Sequence, residues 1–162
     1  MVPEHKLHSG PDRNICRAGR LMELAEQAYA LSAVALFLKM FSTSAVQALG
    51  RLKSNAFVNP EDARFYGKTE PVAEETAIVR RAQAVWRNDL ENIPIFLFLA
   101  LVYLIARCWP MGAAIYFSIF VIARIFHSIF YFKAMQPWRN YSYDIGIVIC
   151  FVLSAHIVVA VL

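Results

Sequence analysis

The chain has 162 residues, 59% of them hydrophobic and 17% charged, with a mean hydropathy of +0.47 and a formal net charge of +4. That balance is too apolar for a soluble domain of this length and identifies an integral membrane protein. The positive excess suits basic loops facing anionic lipid; the basic residues are spread along those loops with no recognition motif, which argues against a nucleic-acid-binding module.

Residues 1–22 are polar and mixed in charge, contain Pro3, Gly10 and Pro11, and lack the apolar stretch of a cleavable signal peptide. They read as a poorly ordered tail ahead of a single domain over residues 23–162. Continuous apolar character from Ala28 to Leu49, interrupted by Lys39 and by Ser42-Thr43-Ser44, predicts the first transmembrane helix. Residues 50–86 collect charges of both signs around Asn59-Pro60-Glu61-Asp62 and Gly67, which predicts a long extramembrane loop with room for a short helix. The second span is expected from about Asp89 to Arg107, the third from Ala113 to Phe132 after the Pro110/Gly112 connection, and the fourth from Ser142 to Leu162. The fold class is therefore all-α, a four-helix transmembrane bundle. Cys16, Cys108 and Cys150 are far apart, with no CxxC and no Cys/His cluster, so reduced thiols are expected and no metal site.

Four spans put loops one and three on one side of the membrane. That side carries Arg51, Lys53, Arg64, Lys68, Arg80, Arg81, Arg87, Lys133 and Arg139, against Lys6, Arg13, Arg17, Arg20 and Arg107 on the other. Nine against five places loops one and three in the cytoplasm by the positive-inside rule.

The stretch Arg87-Asn88-Asp89-Leu90-Glu91-Asn92 sets a cation, two carboxylates and two amides directly before the uncharged run Ile93–Ile105. If the helix starts before this cluster, Arg87, Asn88 and Glu91 share one face. Charges at the mouth of a lipid-embedded helix either face other helices and a wet cavity or form an interfacial cap with Arg87 snorkelling to headgroups. Further on, Arg124, His127 and Tyr131 are spaced i, i+3, i+7 and form one stripe. At ~1.5 Å rise per residue, His127 lies roughly 9 Å from the membrane face that holds Arg51, Arg87–Glu91 and Arg139–Tyr143. Taken singly, each residue has a plain reading: Arg124 neutralises a carboxylate buried between helices, His127 is a satisfied polar group, and Tyr131 and Tyr143 are belt residues. Taken together they converge at one depth, in a cavity that suits a polyanionic, amide-rich small molecule bordered by lipid.

Four blocks of sequence carry a resemblance: Ala56-Phe57-Val58-Asn59-Pro60-Glu61-Asp62, Arg87-Asn88-Asp89-Leu90-Glu91-Asn92-Ile93, Ala123-Arg124-Ile125-Phe126-His127-Ser128 and Pro137-Trp138-Arg139. In this order and spacing the chain, from Lys39 onward, resembles the MAPEG family, the membrane-associated proteins of eicosanoid and glutathione metabolism. The resemblance implies a homotrimer in the endoplasmic reticulum of a eukaryote or the inner membrane of a bacterium, with glutathione held between subunits near the cytoplasmic face. It implies that Arg51, Arg87, Asn88, Glu91, His127 and Tyr131 hold the glutathione, Arg51 reaching in from a neighbour and Glu91 taking the γ-glutamyl ammonium. It implies further that Arg139 lies beside the thiol with Asp62 holding it in place, and that Tyr143 lies near the sulfur.

The chain also departs from the family pattern. Ala84, Val85 and Trp86 stand where the family has Arg-Ala-His, so one cation is lost or supplied by Arg81. Asn140 follows Arg139 where the branch that forms prostaglandin E has a serine. The resemblance therefore implies a glutathione transferase acting on lipophilic electrophiles, with glutathione-dependent reduction of lipid peroxides beside it. Prostaglandin-endoperoxide isomerisation and non-catalytic lipid binding are the alternatives.

Overall fold

A computed structural model describes residues 13–162, with side chains from residue 19 onward. It contains α1 (Arg13–Ser54), α2 (Pro60–Asp62) running into a π-turn (Ala63–Gly67), α3 (Ala77–Ile105), α4 (Pro110–Phe132) and α5 (Trp138–Val161). Four of these, α1, α3, α4 and α5, are long and apolar enough to cross a membrane, and the chain is an integral, multi-pass membrane protein.

Two boundaries differ from the sequence expectation. Residues 13–22, read as tail, form the first turns of α1; residues 1–12 lie outside the described residues. The extension follows from composition, since Arg17-Ala18 and Arg20-Leu21-Met22-Glu23-Leu24-Ala25 are strong helix formers. At ~1.5 Å per residue the 42 residues of α1 span about 60 Å, roughly twice a hydrocarbon core, so this polar end projects from the bilayer. The second correction concerns residues 77–86, assigned to the loop but forming the start of α3. Val79, Ala82 and Val85 recur at i, i+3, i+6 and are completely buried, so tertiary packing carries the helix outward past the apolar run. The Arg87–Asn92 cluster consequently lies inside a helix.

The long helices stop at non-glycine residues in the left-handed region: Asn55 after α1, Arg107 after α3 and Ala134 after α4. Each closes the pair of bonds that satisfies terminal carbonyls, as in Cys108 N to Tyr103 O (3.2 Å) with Arg107 N to Leu104 O (3.0 Å), and Met135 N to Phe130 O (2.9 Å) with Ala134 N to Tyr131 O (3.2 Å). Such compact stops let the connections at 106–109 and 133–137 reverse the chain at once, so consecutive helices run antiparallel. Within loop one, Val72 N donates to Phe57 O at 2.9 Å and folds the 57–72 segment back on itself.

α1 packs against α3 and α4, and α5 against α4. The core is aromatic: Phe96 stacks on Phe120 with centroids 3.8 Å apart, and Phe117 meets Phe96 and Tyr103 edge-on. Ala100, Ala113 and Gly146 give the helices room to approach. Phe98, Ile105 and Phe151 point outward, as lipid-facing positions do. Cys108, buried in the α3–α4 connection, is a free thiol whose pKa is raised by that burial.

Candidate functional site

The ends of α1 and α4 and the starts of α3 and α5 meet at one end of the bundle, as the shared-face reading expects. Arg139, in the first turn of α5, places its guanidinium carbon 4.7 Å from the centroid of the Tyr131 ring on α4. One turn further along, Tyr143 faces His127 at 6.2 Å between centroids, and His127 faces Tyr131 at 5.8 Å. The i, i+3, i+7 spacing on α4 and the i, i+4 spacing on α5 thus bring Arg139, Tyr143, His127 and Tyr131 into one cluster. Gln136 lies at its edge: with the amide turned so that its oxygen faces the guanidinium, that oxygen is 3.1 Å from Arg139 Nε and its nitrogen 3.3 Å from Asn140 Oδ1. Asn140 itself is exposed.

Beneath this cluster lies a charge network across three helices. The Asp89 carboxylate, completely buried, accepts from Lys39 Nζ of α1 and, at 3.0 Å, from Arg124 Nη2 of α4. The same Arg124 Nη2 donates to Asn88 Oδ1. The reading of Arg124 as the partner of a buried carboxylate is therefore met. Sequence reasoning missed that Asp89 is that carboxylate and that Lys39 makes the pair a triad. The signal was available: a lone Lys inside one span and an Asp inside another have to find each other, because an unpaired charge in hydrocarbon is costly. Two cations against one anion leave the network with a net charge of +1.

This network also fixes what Asn88 can do. Its carbonyl oxygen is engaged by Arg124, so its amide N–H groups are what it can present to a ligand, and they recognise a carbonyl or carboxylate. Arg87 and Glu91 flank it on the exposed side of α3 and make no ion pair among the described residues. Arg124 Nε and Nη1 and His127 Nδ1 are buried without a hydrogen-bond partner. Orphaned buried polar groups of this kind are rare in a folded protein unless something else satisfies them. Arg124 contributes only donors, and His127 Nδ1 donates or accepts with its tautomer.

Arg81 Nη1 donates to the Tyr131 and Phe132 carbonyls at 3.4 and 3.2 Å, where a cation complements the C-terminal end of α4. Its position is thus the end of α4 beside Tyr131. Arg51 is held by Glu75, whose Oε1 accepts from Nε at 2.8 Å and from Nη2 at 2.6 Å. Arg51 and Asp62 line a cavity of about 220 Å³ with Phe57 and Tyr66. Within the single chain Asp62 makes no contact with Arg139 and accepts from Asn59 Nδ2 at 3.1 Å, across the first turn of α2. At the opposite end of the bundle, Tyr103 Oη donates to Trp109 O at 3.0 Å and lies 3.4 Å from His156 Nδ1, so the polar groups there satisfy one another.

Residues 29–159 match the sequence model of the MAPEG family. The chain is 33% identical to prostaglandin E synthase of Equus caballus over 81% of this chain and 86% of that protein. It is 37% identical to microsomal glutathione S-transferase 1 of Homo sapiens over 74% of this chain and 79% of that protein. Against prostaglandin E synthase of Rattus norvegicus it is 32% identical over 86% of this chain and 92% of that protein.

Proposed function

This chain belongs to the MAPEG family, and on that premise we propose that it is a membrane-bound glutathione transferase which activates the glutathione thiol for attack on lipophilic electrophiles, lipid peroxides among them. The observation that carries this reading is the guanidinium of Arg139 held over Tyr131, beside buried His127 and half-buried Tyr143, at the bundle end where Arg87 and Glu91 are exposed. Glutathione supplies the nucleophilic sulfur. Arg139 stabilises negative charge on that sulfur, as a fixed cation does for any thiol. Glu91 takes the ammonium of the γ-glutamyl group, Arg87 and Arg51 take carboxylates, and Asn88 donates its amide. Tyr131, beneath Arg139, keeps the guanidinium over its ring by cation–π attraction.

In this proposal the functional unit is a homotrimer, in which Arg51 and Asp62 of one subunit approach the site of the next, so that the Asp62–Arg139 contact is made between chains. Loops one and three face the cytoplasm. Single cysteines introduced between residues 60 and 75 should then react with an impermeant maleimide from the cytoplasmic side alone; labelling from the other side overturns the orientation.

Detergent-purified protein given glutathione and an apolar aryl halide should form the thioether. Glu91→Gln should weaken glutathione binding by ~2–3 kcal/mol, the cost of losing a charged hydrogen-bond partner. Calorimetric affinity that does not change removes Glu91 from the site. The match to prostaglandin E synthases over most of the chain supports endoperoxide isomerisation as a second reading. Product formed from the endoperoxide faster than from the aryl halide would favour it.

A further inference from the structure

Glu75 lies in loop one, directly before the Thr76 cap of α3, in a segment that none of the sequence blocks includes. Its carboxylate is mostly buried, at 13% side-chain exposure, and only one of its oxygens is used: Oε1 accepts from both Nε and Nη2 of Arg51, while Oε2 is buried with no partner. This geometry holds the Arg51 guanidinium by one edge and leaves Nη1 unengaged by Glu75. Arg51 lines the cavity of about 220 Å³ that also includes Asp62 and Tyr66. A free arginine samples many rotamers, and ordering it opposes binding; a planar guanidinium already fixed by a carboxylate has lost that freedom beforehand.

We propose that Glu75 is a positioning residue for glutathione binding, which acts through Arg51 by fixing its guanidinium so that the remaining N–H groups meet a ligand carboxylate. The proposal rests on the assignment of Arg51 to the glutathione site. An arginine in the last turn of a helix that ends at Ser54, beside a loop with left-handed residues at Asn55 and Lys68, has little else to hold it. The Glu75 pair ties the far end of that loop to α1 and sets the direction of Arg51, while the Val72–Phe57 and Asn55–Gly67 bonds fold the loop itself.

A double-mutant cycle on the full-length protein in detergent tests this, with glutathione KM and kcat as readouts at a saturating aryl halide. Glu75→Gln should raise the glutathione KM about fivefold, in the range of a partly exposed ion pair, and leave kcat within a factor of two. Glu75→Asp, which keeps the charge, should recover part of that loss. Arg51→Leu should raise KM at least as much, and adding Glu75→Gln to it should change nothing further. A Glu75→Gln effect that persists undiminished in the Arg51→Leu background overturns the proposal, as does an unchanged KM in the single variant. An unchanged KM in Arg51→Leu instead overturns the assignment of Arg51 itself. Circular dichroism melts of each variant separate these outcomes from misfolding, and a Glu75→Gln variant whose KM rises only in step with lost helix also refutes the positioning role.

Discussion

Arg139→Leu is expected to lower turnover at neutral pH by about thirtyfold while glutathione still binds within a few-fold of the wild-type affinity. The magnitude comes from ionisation alone: an unperturbed thiol of pKa about 8.5 is only a few per cent thiolate at pH 7, whereas a thiol beside a fixed guanidinium is nearly all thiolate. The sign of the pH dependence follows. The variant should gain activity as the pH rises through the unperturbed thiol pKa, because solvent then removes the proton that Arg139 no longer displaces. The wild type, already ionised, should be flat over the same range. A kcat/KM profile from pH 6.5 to pH 9.5 reads this directly. Equal loss of affinity and turnover with no alkaline rescue would make Arg139 an anchor and move the activation of the thiol to Tyr143 or Asn140.

The second large effect is expected at Asp89. Asp89→Leu leaves Lys39 and Arg124 as facing buried cations with no anion between them, and the loss of one partner from a buried pair costs about 3–5 kcal/mol. Thermal melts in detergent should show the trend as a large fall in the unfolding temperature. The triple change Lys39→Met, Asp89→Leu, Arg124→Met removes every charge of the network and should recover most of that stability, since apolar replacement of a whole buried cluster is often neutral. Glutathione binding should remain impaired in the triple variant, because Asn88 has lost the donor that orients its amide. If the triple variant binds normally, the network is purely structural. Should Asp89→Leu melt like the wild type, Asp89 contributes nothing to stability and the network as described is wrong.

Much of this is legible in the sequence. Four apolar runs of bilayer length specify four spanning helices whatever their neighbours do. The helical spacing of Arg124, His127 and Tyr131 specifies a shared face. The outer ends of α1 and α3 were less legible, because residues 13–22 are polar on average and the apolar residues of 77–86 are interrupted by Arg80, Arg81 and Gln83. Only the positions of Val79, Ala82 and Val85 betray a helix packed beyond the lipid. Lys39, Asp89 and Arg124 are a pairing problem that periodicity cannot solve: fifty residues separate Lys39 from Asp89, and only the fold decides which cation meets which carboxylate. Arg51 shows the same limit. Its residue type points to anion binding, but its direction is set by Glu75, in a loop with no periodic signal at all.

On the proposed reading, this protein binds glutathione as its thiolate at the bundle end formed by Arg139, Tyr131 and His127. The most direct measurement is the ultraviolet difference absorbance of the thiolate as glutathione is titrated into detergent-purified protein at pH 7, with calorimetry on the same preparation. A thiolate signal that saturates together with the binding isotherm in the wild type, and is absent from Arg139→Leu despite retained binding, is the predicted result. Binding of glutathione to the wild type without any thiolate absorbance would contradict it.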